Sequence, residues 1–439
     1  MIPNSPEKQW DAVIIGAGIA GLTASIYLAR AGLSVLLLDK SPQLGGRAAS
    51  TELAGARVNL GAHALYKSAL PILKEVGVEP TGASPKAPNA LAFGDGGGGL
   101  KPVPLAQLLL GSFLTWQEKT QLIRFYGRLR RTDVAALNKV SLQDYLDSSF
   151  SGDRVRHVVR ALVRVSTYCD APDLISAGAV VEQLRSAQVM YVDGGWQSIA
   201  NRLREQALQA GVSIRPGSPA RDIGGSAPRM TVTLKDGTRL SALRVLSTAG
   251  PADTLKLLNP ALTPREAAIY EQLIPVHAAC LDMVMEGLPR PKTRFLLGAD
   301  RPLYYANHSA VATFSDNPAH QVVHVMKYFP ALTPTDPRQD ERELEGLLDT
   351  AQPGWRKHVV QRRFLPHMIV SHAVPSAASG GLAGRPGPSV EGRPGLYVAG
   401  DWVGASGMLL NASLASAREA AWLIIADIQQ DKDGIDRGA

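Results

Sequence analysis

The sequence predicts an α/β protein in which a discontinuous Rossmann-like dinucleotide-binding domain is joined to a β-sheet substrate domain and a helical insertion. Three observations predict it. An apolar run near the start of the chain ends in Gly16-Ala-Gly18-Ile-Ala-Gly21. Strand and helix patterns then alternate, break off and return. A last apolar run ends in Gly400-Asp401, ahead of a long helical stretch.

Residues 12–15 are an unbroken run of Ala, Val and Ile, as in a strand buried on both faces. The glycines that follow meet three demands: a tight turn, close approach of backbone to a pyrophosphate, and close packing of helix on strand. Residues 22–30 carry apolar side chains at helical spacing and stop before Gly32, so the helix begins at the turn and offers its free N–H groups to an anion. A second strand over residues 34–39 ends in Asp39, 18 residues past Gly21, near the separation at which a carboxylate receives the ribose hydroxyls of an adenosine. Gly45-Gly46-Arg47 follows six residues later, adding a concavity of N–H groups and a guanidinium suited to phosphate oxygens. With Asn59-Leu60-Gly61-Ala62-His63, the ordered series reads as a site for FAD. A second match, Gly94-Asp-Gly96-Gly-Gly-Gly99, runs into Leu100-Lys-Pro102-Val-Pro104, whose prolines forbid a helix there, and reads as a hairpin turn.

Residues 1–79 are thus the first part of the FAD-binding domain, and the turn-rich residues 80–104 are strands of the substrate domain. Residues 105–190 form the helical insertion, in which Thr115-Trp-Gln-Glu118 and Ser141-Leu-Gln-Asp144 have capping-box form. The nucleotide-type pattern returns over 191–255, with Asp193-Gly-Gly-Trp196, a helix over 197–210 and a strand-rich stretch to Thr248-Ala-Gly250-Pro251. Residues 256–375 are the substrate domain, because 275–375 alternate apolar and polar residues in short runs, as half-buried strands do. Residues 376–439 close the FAD-binding domain through a Gly- and Pro-rich loop, a strand over 396–399 and a helix from Ser406-Gly407-Met408-Leu409 to about residue 428. An Asp at a strand end beside a helix N-terminus suits ribityl hydroxyls, and helix amides suit negative charge at the flavin N1/O2 end.

A chain of 439 residues is too long for one core and predicts two or three domains. Residues 1–8 hold no hydrophobic signal region and no apolar run reaches the roughly 18 residues of a membrane span, which predicts a cytoplasmic protein. Cys169 and Cys280 read as buried small hydrophobes, and no His/Cys cluster has metal-ligand spacing, so no metal is expected. The net charge of +7 is dispersed and no nucleic-acid motif accompanies it. Leu105, Leu108, Leu109, Leu110, Phe113, Leu114 and Trp116 precede Lys119, Arg124, Arg128, Arg130 and Arg131. That pattern suits peripheral contact with an anionic bilayer, and equally suits helices lining a pocket.

The set GAGIAG, LGGRA, NLGAHAL, DGGWQSIA, STAGP and GLYVAGDW, in this order along the whole chain, resembles the FAD-dependent phytoene desaturase and flavin amine oxidase superfamily. The resemblance implies a two-domain fold with substrate held between the domains over the flavin. It implies that Gly16, Gly18, Gly21, Asp39, Lys40, Gly45, Gly46 and Arg47 hold the ADP half and pyrophosphate, and that Ala220 contacts adenine through its backbone. Leu60, Gly61, Gly400, Asp401, Gly407, Met408 and Leu409 would surround the ribityl chain and isoalloxazine. The chain departs from amine-oxidizing relatives in two places: residues 276–282 contain no lysine, and the last helix opens with Met408-Leu409-Leu410 where an aromatic cage would place Tyr or Trp.

The function expected is an FAD-dependent oxidoreductase, a desaturase or oxidase, that removes two hydrogens from a small apolar organic substrate by hydride transfer to flavin N5, with oxygen or a quinone as electron acceptor. An amine or amino-acid oxidase releasing peroxide is the alternative. For an amino acid it would need a buried arginine, with Arg294, Arg356, Arg362 and Arg363 as candidates. A third reading is a non-enzymatic relative of the GDP-dissociation inhibitors, binding prenylated proteins. His63, next to the predicted flavin ring, is the candidate general base, or else a structural histidine bonded to backbone beneath the flavin. Tyr66, His277, Tyr305, His308, Lys327 and Tyr328 are further candidates in or near the substrate domain.

Overall fold

The computed structural model describes residues 9–61, 63–85, 90–97, 99–258 and 263–436; residues 1–8, Ala62 and Gly98 of the motifs above lie outside these. The chain's apolar runs form one sheet from three distant stretches. Strand Gln9–Ile15 pairs in parallel with Val35–Leu38 on one side and Arg239–Ser247 on the other. Ser213–Arg215 extends the sheet beyond Val35–Leu38, and Leu396–Val398 pairs in parallel with the C-terminal half of Arg239–Ser247. Period-two alternation divides the strand residues between two cores. Ala12, Ile14, Val35 and Leu37 pack with helices Ile19–Arg30, Gln197–Gln209 and Leu409–Asp436; Val13, Ile15, Leu36 and Leu38 pack on the opposite face with Val232, Leu258 and Trp402. Burial on both faces is why these strands read as continuous apolar runs.

A second sheet of seven strands has the order Val359–Ser371, Val276–Glu286, His320–Tyr328, Leu303–Asn307, Phe295–Gly298, Ala90–Gly94 and Leu100–Pro104. The second glycine run is a hairpin: Asp95 N–H donates to Gly99 O and its carboxylate accepts from the amides of Gly97 and Gly99. Pro102 and Pro104 lie on the sheet's edge strand, where a missing N–H costs no ladder bond.

One expectation fails here. Residues 275–375 are not a set of short half-buried strands. Val276–Glu286 is buried on both faces, with Ala278 and Cys280 packed against the helices of 105–190 and Ala279, Leu281 and Met283 against a helix over Pro337–Ala351. That helix was legible, since Asp336 caps it and Pro337 stands at its first turn. The insertion itself behaves as its sequence requires: Thr115 and Glu118 form the reciprocal capping box that starts Trp116–Arg128, and Ser141 caps Leu142–Ser149.

Candidate active site

The first turn is built for an anion. Gly16 has φ +105°, and a Cβ on Gly21 would stand 1.9 Å from Gly16 O, so the helix lies directly on the turn. At Gly18 a Cβ would meet nothing closer than 3.9 Å, which leaves open space in front of the helix N-terminus. No side chain caps that terminus and no acid stands in its first turn, so its free N–H groups have no anionic partner from the protein. Gly45 and Gly46, at φ +116° and +57°, line the other side, with Gly45 N–H bonded to Ala17 O. Thr248 Oγ1 closes the turn from beneath by donating to Ile15 O and Gly16 O.

Asp39 ends its strand beside this turn, and its carboxylate accepts from the amides of Ala17 (2.6 Å) and Ser41 (2.7 Å). Ser218 N–H donates to Asp39 O, which brings the Ala220 strand alongside. Lys40 points away, 74% exposed and paired with Asp253.

Farther along, Arg47 and Asp401, 354 residues apart, form a bidentate pair at 2.8 and 2.6 Å. Burial alone would raise the Asp401 carboxyl, but the Arg47 charge and hydrogen bonds outweigh it and bring the group down to about 2. His372 N–H also donates to Asp401, and its ring fills the space that any side chain on Gly250 would need. Burial, reinforced by Arg47, lowers the His372 imidazole to about 4. Arg385 donates to the carbonyls of Asp401 and Gly407, fixing the loop before helix Leu409–Asp436, and burial lowers it to about 10. Gly407 has φ +64° and Leu409 the same left-handed sign at +55°, so the helix entry is a strained turn held by these contacts.

Beyond Met408 lies a buried wall that includes Ala278, Cys280, Tyr168, Tyr304 and Tyr328. Behind it is a polar knot. His63 stacks on His324 at 4.3 Å and stands edge-on to His308 at 5.3 Å. Asp282 accepts from His324 Nδ1 (2.7 Å) and the Cys280 thiol (3.0 Å), and its other oxygen takes Arg363 Nε. Burial would raise the Asp282 carboxyl, yet the His324 hydrogen bond and Arg363 charge hold it well below the usual range. Burial also holds His63 and His308 neutral, far below their ordinary values.

The sequence model of flavin-containing amine oxidoreductases matches residues 19–425. The chain belongs to that family. Within the flavin-containing amine oxidoreductases, the chain is 42% identical over 91 residues to one of the subunits of the limonene dehydrogenase of Castellaniella defragrans, covering 20% of this chain and 16% of that one. It is 26% identical over 299 residues to a protein of Mycobacterium tuberculosis described as a candidate flavin-containing monoamine oxidase, covering 62% and 63%. The chain thus matches less than two thirds of the length of either relative. Its fold is that of a solved oxidoreductase from Methanosarcina mazei, with TM-score 0.73 at 20% identity over 93% of this chain and 99% of the other. The cofactor of this flavin-containing family member is FAD, and the open, uncapped glycine turn fits its pyrophosphate.

The predicted residues fall into two groups in this fold. Gly16, Gly18, Gly21, Asp39, Gly45, Gly46 and Ala220 converge around one turn, whereas Arg47 meets Asp401 and Lys40 meets Asp253. Of the further candidates, His308 joins the His63 knot and Tyr328 its neighbouring wall. Tyr305 bonds Gln352, Lys327 pairs with Asp340 and Glu343, and His277 stacks on His367. Thr248, His372, Arg385, His324, Cys280 and Asp282 were not identified as functional residues from sequence.

Proposed function

We propose that the chain is an FAD-dependent desaturase or oxidase that removes two hydrogens from an apolar organic substrate. Bound FAD supplies the hydride acceptor. The protein binds, orients and shields: residues 1–79, 191–255 and 376–439 form the cofactor domain, 80–104 and 256–375 the substrate domain, and 105–190 its helical cover. In this reading the turn around Gly16, Gly18, Gly21, Gly45 and Gly46 takes the pyrophosphate, Asp39 the ribose, and the Ala220 backbone the adenine. Arg47 holds Asp401 toward the ribityl chain. Leu60, Gly61, Gly400, Gly407, Met408 and Leu409 surround the ring.

One observation carries the substrate class: the buried wall adjoining Met408 is Ala, Cys, Met and Tyr, with no ammonium or carboxylate partner of its own among the described residues. A carboxylate-binding arginine, needed for an amino acid, finds little support. Arg356 and Arg362 are tied to Glu345 and other surface acids, and Arg363 to Asp282. The short match to a protein named for limonene dehydrogenation supports an apolar substrate. Oxygen or a quinone accepts the electrons. Anaerobic mixing with cyclic monoterpenes and with primary amines tests the reading: flavin bleaching by the hydrocarbons is expected, and bleaching by amines alone overturns it.

Peripheral docking on an anionic bilayer follows the same chemistry. Leu110 is 88% exposed and Trp116 79% exposed, and Ile123 and Tyr126 lie open on the next helix. Tyr126, Leu129, Arg130, Arg131, Leu184 and Arg185 line a groove of about 470 Å³ suited to a phosphate headgroup. No helix among the described residues is long and apolar enough to cross a membrane. Flotation with phosphatidylserine vesicles, lost in Leu110→Ser/Trp116→Ser, is the expected result. Full recovery of the native chain in the lipid-free fraction refutes docking.

A further inference from the structure

Strand register assembles four metal-ligating side chains for which the flavin chemistry has no use. Asp282 lies directly across from His324 on one neighbouring strand and from Arg363 on the other. Cys280, two residues earlier, projects to the same face. His63 arrives from the chain that follows Asn59, in a part of the sequence more than 200 residues away; its distance from Cys280 along the chain is 217. All four side chains are buried, and one donor atom from each lies within 4.8 Å of the others.

Their spacing is informative. Cys280 Sγ stands 3.9 Å from His63 Nε2, long for a thiol hydrogen bond. It is near the roughly 3.6 Å separating sulfur from nitrogen on one tetrahedral zinc with Zn–S about 2.3 Å and Zn–N about 2.0 Å. Cys280 Sγ and His324 Nδ1 also converge on one oxygen of Asp282, at 3.0 and 2.7 Å. The second oxygen of Asp282 is held by Arg363, which itself donates to Asn59 O, and Trp196 Nε1 donates to the carbonyl of His63. Outer hydrogen bonds of this kind orient the residues of a metal site. His63 Nδ1 and His324 Nε2 are buried without a hydrogen-bond partner. For a network of hydrogen bonds alone, those orphaned nitrogens are a standing cost.

We propose that His63, Cys280, Asp282 and His324 bind one divalent transition-metal ion, and that the ion is zinc. A thiolate, two imidazoles and one carboxylate oxygen match its preference for mixed sulfur, nitrogen and oxygen donors in a tetrahedron. Binding releases the Cys280 proton to solvent and involves no change of oxidation state. Four protein ligands leave no open position, so the ion is structural. It pins the chain after Asn59, which borders the cofactor site, onto strands Val276–Glu286 and His320–Tyr328 of the other sheet. Held as a ligand, His63 is withdrawn from service as a general base, and the substrate's proton leaves by another group or water.

The test uses the full chain with its flavin, so that metal and cofactor are counted separately. After expression in zinc-supplemented medium and dialysis against a weak chelator, mass spectrometry should find about one zinc per chain. Cys280→Ser and His324→Gln should lose it, while His308→Gln, outside the ligand set, should keep it. Because a buried variant can fail to fold, cobalt(II) is also added to native protein stripped by a strong chelator; absorption bands of tetrahedral thiolate-bound cobalt are expected. Flavin-loaded native protein with under a tenth of an equivalent of metal and no cobalt bands overturns the proposal and leaves the oxidoreductase reading standing. Stoichiometric zinc in a chain that never takes up flavin does the reverse.

Discussion

The glycine turn and the histidine knot are both buried, both polar and both made of few residues, yet they are specified in opposite ways. In the turn, the demand falls on the backbone: Gly16 needs φ +105° and Gly21 cannot carry a Cβ without meeting Gly16 O at 1.9 Å. Such constraints are written into one short, contiguous stretch of sequence. In the knot, the demand falls on side chains brought together by register, with Asp282, His324 and Arg363 aligned across three strands. The contrast teaches that a contiguous backbone motif announces its ligand, whereas an assembled site stays silent until the pairing of strands is known.

The comparison is broken most directly at Gly21. Gly21→Val forces the helix off the turn, costing about 3 kcal/mol or more by overpacking, and should leave the protein without bound flavin while its second sheet still forms. The flavin-to-protein absorbance ratio measures this. A variant that retains a full complement of FAD would mean that the turn is not the pyrophosphate site.

Arg47 stands between the two kinds of site, since a motif residue is used in a long-range pair. Arg47→Ala strands the buried Asp401 carboxylate. Because Arg47 is itself 38% exposed, the loss should be about 2 kcal/mol, below the 3–5 kcal/mol typical of a fully buried pair. Asp401→Asn added to Arg47→Ala should restore part of that stability in urea titrations of apoprotein. A double variant no more stable than Arg47→Ala would show that the pair does not matter to folding.

These differences explain what was legible. The parallel strands, the helix at Gly18, the hairpin at Gly94 and the capping box at Thr115 all rest on local patterns, and each formed as read. Helix Pro337–Ala351 was missed although Asp336-Pro337 announced it, because alternation in the flanking strands was extended across it. The knot left one faint trace: Cys280 and Asp282 interrupt an otherwise apolar strand at alternate positions, on the same face. A buried carboxylate needs a partner, but nothing local says that His324 and Arg363 supply it. His372 and Arg385 gave no signal at all, since their work is to hold Asp401 and the carbonyls around it.

His372 makes the pairing around Asp401 visible in solution. Its imidazole ordinarily titrates near 6.5 but near 4 when folded, so between those values the unfolded chain binds more protons. Stability from this group is full above pH 6.5 and is lost as pH falls toward 4, by up to about 3 kcal/mol. The Asp401 contribution disappears in a separate, lower window, from 3.8 down to about 2. Urea midpoints of apoprotein between pH 7 and 4 should fall for the native chain and flatten in His372→Gln. Equal slopes for the two would remove His372 from the account.

Lys40 offers the smallest effect and the sharpest reading of the motif's edge. The family resemblance places it with the ADP half, whereas its ammonium here lies 2.9 Å from Asp253, with the two side chains 74% and 49% exposed. An exposed pair of that kind contributes about 0.2–1 kcal/mol, so Lys40→Ala should shift the urea midpoint only slightly. If Lys40 serves Asp253 alone, FAD affinity measured by titration of apoprotein changes less than about threefold, under 1 kcal/mol. A loss of about tenfold that shrinks with added salt would instead assign the ammonium to a phosphate of the dinucleotide, and would mean that cofactor binding draws Lys40 away from Asp253.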